Sequence, residues 1–229
     1  ITYFNKFKQL PLYIDCSEQL QLYKTNSNDD ITYSYFSHPD NIEMNISYTK
    51  PIDFHYHYQF SAYTKLDFDN IIPIFKKYFT VSDEVNGYIT DIIKKYKLNY
   101  DNICVLFYRG NDKITETKLK SYDDVIAHAK QVKKENPDIQ FLFQSDEIEF
   151  VEECLKNFPD GIVFYDEVRM INKTKTSVDK CLPNNFYYSK LFLAIVVIMS
   201  KCKFVITGSL GNIPLFICLY RENVEKFIS

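Results

Sequence analysis

Residues 102–113, N-I-C-V-L-F-Y-R-G-N-D-K, constrain the fold of this chain more than any other stretch. Ile103 to Tyr108 is an unbroken run of apolar and aromatic side chains with one cysteine. A run with no polar alternation is covered on both faces, which is the pattern of a strand inside a parallel, helix-clad sheet. It breaks abruptly into Arg109, Gly110 and an Asp112-Lys113 pair. Open α/β sheets hold their ligands at the carboxyl ends of strands. The planar fork of an arginine beside a flexible glycine suits an anion there, phosphate above all.

Residues 81–229 repeat the strand–helix theme. Ser82-Asp83-Glu84-Val85 opens a helix, with Ser82 as N-cap and two acids at the positive end of the helix dipole. Val85, Tyr88, Ile89, Ile92, Ile93 and Tyr96 recur at helical spacing, and Lys94, Lys95 and Lys97 crowd the far end. After the 103–108 strand, residues 121–136 predict an amphipathic helix stopped by Pro137, and residues 140–143 a short strand ending in Gln144-Ser145-Asp146-Glu147. A helix over 149–157, a strand over 161–165 and a polar loop over 167–185 follow. Residues 187–199 predict a buried helix, 203–207 a strand and 213–220 a last helix. Strands and helices alternating at this spacing define a parallel Rossmann-like sheet. Residues 1–80 read as a smaller α/β domain, with strands expected over 10–15, 31–37 and 46–48, alternation over 54–60 and helical spacing over 69–78 around Pro73. The expected organisation is therefore α/β with two domains, 1–80 and 81–229.

Composition narrows the function. At 229 residues and 46% hydrophobic content the chain has ample core for a globular fold and is not globally disordered. Five glycines are few for this length, so each is expected where the backbone demands it. A net charge of −3 with no block of lysine or arginine argues against a nucleic-acid partner. The longest apolar run, residues 191–199, is too short to span a bilayer, so no membrane span is expected. No signal peptide is visible, although the chain begins at Ile1 rather than Met. Cysteines at 16, 104, 154, 181, 202 and 218 are scattered without a C-x-x-C, and Cys104, Cys202 and Cys218 sit in apolar runs as core thiols. That usage points to a cytoplasmic or other reducing compartment rather than a disulfide framework.

Alone, R-G-N-D-K is equally a surface turn with Asp112 as a cap. Its company changes the reading, because three strand ends carry polar groups: Arg109 to Lys113, Ser145 to Glu147, and Thr207 to Asn212. In that order they resemble the nucleotide-binding half of the GT-B fucosyltransferases, the group of α-1,2-, α-1,6- and protein O-fucosyltransferases. That family carries an apolar strand running into H-x-R-R-x-D-K, then a T-D-D-like strand end, then a T-x-S-S-N-like loop feeding a helix. Arg109 matches the arginine that contacts the donor β-phosphate, and Asp112 and Lys113 match directly. Gly110 stands where the second arginine would be and Phe107 where the histidine would be. Ser145-Asp146-Glu147 stands in the T-D-D position, and Thr207, Gly208, Ser209 and Asn212 in the final loop. The segment from Tyr78 to Glu84 is similar to the family's y-F-x-P-S-x-E, without the proline.

The resemblance covers roughly residues 78–223 and leaves residues 1–77 short for a complete acceptor domain. It implies a GT-B-like fold and metal-independent, inverting transfer of a sugar, fucose from GDP-fucose in most members, to a glycan or protein. Arg109, Asp112 and Lys113 are then the catalytic candidates. Arg109, Gly110, Asp146, Glu147, Thr207, Gly208, Ser209 and Asn212 are the candidates for holding the nucleotide sugar, with no resident cofactor and no metal. Arg109 is expected to be an exposed strand-end residue with little weight in folding. Asp112 and Glu116 are candidates for the base, and Asp166 or Glu167 for a contact to the nucleoside base. His55 and His57 share a strand face but lack a third ligand, so a packing strand outweighs a metal pair. A second function class stays open: a non-catalytic nucleotide- or glycan-binding module within a larger protein, favoured by the missing second arginine and the short first domain. No Walker loop or G-x-G-x-x-G supports ATPase or dinucleotide chemistry.

Overall fold

The protein is described here by a computed structural model covering residues 6–39, 68–208 and 211–228. The readings for 46–48, 54–60 and Ser209 fall outside the described residues.

The centre is a five-stranded parallel sheet, as the apolar runs require. Its strands are β3 (Ile103–Tyr108), β4 (Gln140–Ser145), β5 (Ile162–Val163), β6 (Phe204–Thr207) and β7 (Phe227–Ile228), in the order β5-β4-β3-β6-β7. A two-stranded antiparallel ribbon, β1 (Phe36–Ser37) with β2 (Thr80–Val81), lies outside it. Every residue of β3 is buried. Val105 and Phe107 face one core with Leu142 and Val205, while Cys104, Leu106 and Tyr108 face the other with Phe141, Phe143 and Ile206. The period-2 pleat divides one apolar run between two helical layers.

The first layer holds α3 (Asp83–Tyr96) and α7 (Asn185–Lys201), and the second α4 (Tyr122–Glu135) and α5 (Ile148–Asn157). Ser82 caps α3 through Val85 N–H at 3.3 Å, and Lys97 ends it in the left-handed region at φ 49°. Ser121 and Asp124 form a capping box on α4. The remaining helices are α1 (Thr32–Tyr35), α2 (Phe68–Phe79), α6 (Val178–Cys181) and α8 (Asn212–Arg221). Ile71, Ile72 and Phe75 of α2 pack on Leu215, Cys218 and Leu219 of α8. Among the described residues no helix is long and apolar enough to cross a membrane. Cys104, Cys202 and Cys218 are buried free thiols, as their apolar neighbours require.

Several local readings change. Residues 10–15 form no strand: Tyr78 donates to the Pro11 carbonyl, and Asp15 Oδ1 accepts from Ser17 N–H at 2.7 Å, turning the chain into a 3-10 helix over Ser17–Tyr23. Residues 31–37 divide into α1 and β1. The 167–185 loop contains the single turn α6, and β7 carries no sequence pattern that sets it apart from a tail. β4 runs two residues beyond the expected strand, so Gln144 and Ser145 belong to the sheet.

The path of the chain fixes where a ligand can sit. From β3 it steps outward through β4 to β5, then returns through α7 to β6 on the opposite side of β3. The carboxyl ends of β3 and β6 therefore flank the switch point of an open parallel sheet, where a crevice forms between diverging connections.

Candidate functional site

The register pairs Tyr108 with Ser145 and Phe107 with Thr207, so Arg109, Asp146 and Gly208 emerge side by side. Arg109 is not the exposed residue expected: its side chain is 18% accessible, and it is held by two carboxylates. Nη2 donates to Asp112 Oδ1 at 2.9 Å, while Nε lies 3.4 Å from Asp146 Oδ2. That second contact is misaligned, and neither Nε nor Oδ2 has a hydrogen-bond partner among the described residues. The guanidinium thus keeps an unspent donor. Burial works against its charge, but Asp146 and then Asp112 outweigh it and hold the group cationic. Burial pushes the Asp146 carboxyl up from its ordinary value, opposed by Arg109 and the Gly110 N–H.

The loop after Arg109 is fixed by its backbone. Gly110 N–H donates to Asp146 Oδ1 at 3.1 Å. Asn111, fully buried, donates through Nδ2 to the Asp146 carbonyl at 2.9 Å and accepts from Thr174 N–H at 2.7 Å. Asp112 begins a short 3-10 turn, Asp112–Thr115, rather than capping a helix. Lys113 turns to Glu116 Oε2 at 2.5 Å and Asp112 Oδ2 at 3.8 Å.

Glu147 lies beneath this loop with no exposed surface. Its N–H donates to Ser145 Oγ at 3.0 Å, Tyr122 OH donates to Oε2, and Oε1 has no partner among the described residues. Burial raises its pKa, and the Tyr122 hydrogen bond offsets only part of that. The folded state therefore holds this proton more tightly than the unfolded chain, so the contribution to stability falls as pH climbs from the ordinary glutamate range through the raised folded value. Glu147→Gln removes the penalty and still accepts from Tyr122. Its melting temperature is expected to exceed wild type at pH 7.5 by more than at pH 4; a variant less stable at both would show that the charge is compensated.

On the other side of β3, Thr207 is fully buried and Gly208 bridges Phe107 O (3.0 Å) and Lys120 N–H (2.9 Å). α8 begins at Asn212, with Pro214 in its first turn where a missing N–H costs nothing. The positive end of its dipole favours an anion.

A cavity of about 250 Å³ lies over these ends. Arg109, Gln144, Ser145 and Asp146 line one side, and Asn212, Ile213 and Phe216 of α8 another. Phe192, Leu193 and Val196 of α7 form an apolar wall, and Leu20, Tyr23, Tyr35 and Phe36 of the amino-terminal segment roof it. That roof is fastened by Tyr35 OH with Ser189 Oγ at 2.7 Å and Tyr23 OH to Asp179 Oδ2 at 3.4 Å. Arg169 also faces the cavity, but its guanidinium is committed to Asp179 and Asn185 (2.5 and 2.6 Å) and lies 5.0 Å from the Tyr188 ring centre.

Of the residues expected from sequence, Arg109, Asp146 and Asn212 meet at this cavity. Gly110, Asp112 and Lys113 form the loop beside it, and Glu147, Thr207 and Gly208 sit behind the lining. Glu167 reaches the cavity while bonded to Lys95 and Tyr96, at 2.6 and 2.8 Å; Asp166 pairs with Lys95. Gln144, Asn111, Arg169 and the roofing tyrosines escaped the sequence reading. Only the extra length of β4 could have drawn attention to Gln144.

No family model and no curated protein matches this chain. Solved structures do. A NodZ alpha-1,6-fucosyltransferase co-crystallised with GDP aligns at 13% identity over 65% of this chain and 44% of that one, with a TM-score of 0.44. The fucosyltransferase NodZ from Bradyrhizobium aligns at 13% identity over 69% of this chain and 47% of that one, with a TM-score of 0.45. The chain thus spans less than half the length of these neighbours, and at that identity and score the likeness carries no argument about function.

Proposed function

We propose that this chain carries the nucleotide-sugar-binding part of a GT-B-like glycosyltransferase, with an inverting, metal-independent transfer from a GDP-linked sugar, fucose by the sequence resemblance, to a glycan or protein acceptor. One observation carries the reading. Arg109 and the amino end of α8 converge on a single cavity at the switch point of a parallel sheet. As the glycosidic bond breaks, charge accumulates on the departing diphosphate. A guanidinium with an unspent donor and the positive end of the α8 dipole stabilise that charge more in the transition state than in the ground state. Asp112 and Glu116 are both engaged by Lys113, so neither is assigned as the base that activates the acceptor.

The binding-module reading has an observation of its own. Asp146, Glu167 and Asp179 line the cavity with Arg109 and Arg169, so its field is not strongly positive. Calorimetric titration with GDP and UDP, followed by donor hydrolysis and transfer to an acceptor panel, separates the two. Binding with turnover supports the transferase, binding without turnover supports the module, and no binding at high micromolar ligand removes both nucleotide readings. Because an arginine neutralises the diphosphate, affinity should be unchanged in EDTA. A loss on chelation, restored by Mn²⁺ or Mg²⁺, would overturn the arginine clamp.

A further inference from the structure

Gln144 is a buried amide whose oxygen is left unpaired among the described residues. It is 3% exposed, it lines the cavity, and its Oε1 has no hydrogen-bond partner among the described residues. On the same strand end Ser145 Oγ accepts from Glu147 N–H and Asp146 Oδ1 accepts from Gly110 N–H, while Asp146 Oδ2 faces the Arg109 guanidinium at 3.4 Å. A buried polar group left unpaired costs about 1–3 kcal/mol, and native folds rarely keep one without a use. The last torsion of glutamine is broad and two-fold, so a half-turn about it presents either its carbonyl or its NH₂ to the cavity. The same cavity is lined by the apolar and aromatic side chains of Val168, Tyr188, Phe192 and Phe216.

Gln144 pairs with Phe107 across the β4–β3 ladder, two residues before Arg109. Strand rise and strand spacing put the two backbone positions roughly 8 Å apart. A ligand anchored by its phosphate at Arg109 thus has the remainder of its body, ribose and then base, within reach of Gln144. An amide side chain recognises a ring edge that offers a donor beside an acceptor.

Resting on the nucleotide reading above, we propose that Gln144 is the specificity-determining residue of this site. Its amide pairs with the edge of a nucleobase that carries an N–H next to an acceptor, while the apolar and aromatic lining of the cavity packs on the ring. Asp146 and Glu147 are left to position the loop.

The test uses three probes by calorimetry: GDP, purine riboside 5′-diphosphate (which has no N–H on its base) and inorganic pyrophosphate. The wild-type chain should prefer GDP over the purine riboside compound by roughly ten- to a hundredfold, the value of a satisfied buried hydrogen bond. Gln144→Met, of similar length and without the amide, should reduce that preference to within about threefold and leave pyrophosphate binding unchanged. Its unliganded melting temperature should equal or exceed wild type, because an orphaned group has been removed. If Gln144 were only structural, the variant would lose stability and keep the preference. A wild-type chain that binds all three probes but prefers neither nucleotide refutes the role of Gln144 and leaves the phosphate site standing. A chain that binds none of the three removes the nucleotide reading and this inference with it.

Discussion

Replacing Arg109 with alanine should lower transfer from a nucleoside diphosphate sugar about 10²- to 10³-fold, the usual effect of deleting one preorganised transition-state donor. The same change should also weaken the fold, which the sequence alone does not suggest. Asp146 is almost wholly buried, with Arg109 as its neighbouring cation. Stripping the partner from a buried pair costs about 3–5 kcal/mol, because the remaining carboxylate must protonate or stay unpaired. A loss of activity in Arg109→Ala is therefore ambiguous. Arg109→Lys resolves it. An ammonium keeps a positive charge between Asp112 and Asp146, so the melting temperature should stay close to wild type, but it cannot reproduce the planar fork that grips a phosphate. Activity and nucleotide affinity should fall nearly as far as in the alanine variant. A stable Arg109→Lys protein with affinity and turnover within a few-fold of wild type would show that Arg109 serves the loop and not the ligand.

The parts of the molecule legible in the sequence are those governed by local pattern. Ile103 to Tyr108 announced a two-faced strand, and Ser82 and Ser121 announced the helix starts; the structure has all three. Propensity was a poorer guide where distant groups decide. Residues 10–15 have strand-like side chains, but Asp15 folds back on Ser17 and Tyr78 takes the Pro11 carbonyl. The first is a local turn that competes with the strand, and the second depends on the tertiary fold. The candidate site divides in the same way. Arg109 could be placed at a strand end because strand ends are local, but its two carboxylate partners follow from the β3–β4 register. The roof over the cavity, with Tyr23 and Tyr35, lies more than 70 residues before Arg109 in the chain, and no periodicity points from one to the other. Gln144 looked like the start of a polar turn and is instead part of a strand.

Gly110→Ala should be among the most damaging single-methyl changes available in this chain. The reason is space and not backbone conformation, since none of the described glycines lies in the left-handed region. A Cβ at Gly110 would stand 2.1 Å from Glu147 Oε1 and 2.2 Å from its carboxyl carbon. Neither side can withdraw cheaply. Glu147 is fully buried and tied to Tyr122, whose ring packs 5.0 Å from Tyr108 and 5.3 Å from Phe150. Gly110 is held by its N–H on Asp146 and by its carbonyl, which accepts from Ile114 N–H at 3.0 Å. Overpacking of this kind costs about 3 kcal/mol, or a fall of roughly 10 °C in melting temperature for a chain of this size. Whatever displacement relieves the clash also moves Arg109, so nucleotide affinity should drop even in molecules that remain folded. Two companions make the cause identifiable. Gly87→Ala, in α3 with nothing within 4 Å of the added methyl, should be neutral or stabilising by a few tenths of a kcal/mol to about 1. Adding Glu147→Ala to Gly110→Ala opens the space the methyl needs, so the double variant should melt above the Gly110→Ala single variant. If the second substitution only deepens the loss, the two residues do not interlock, and the tight turn after β3 must owe its glycine to something other than the carboxylate beneath it.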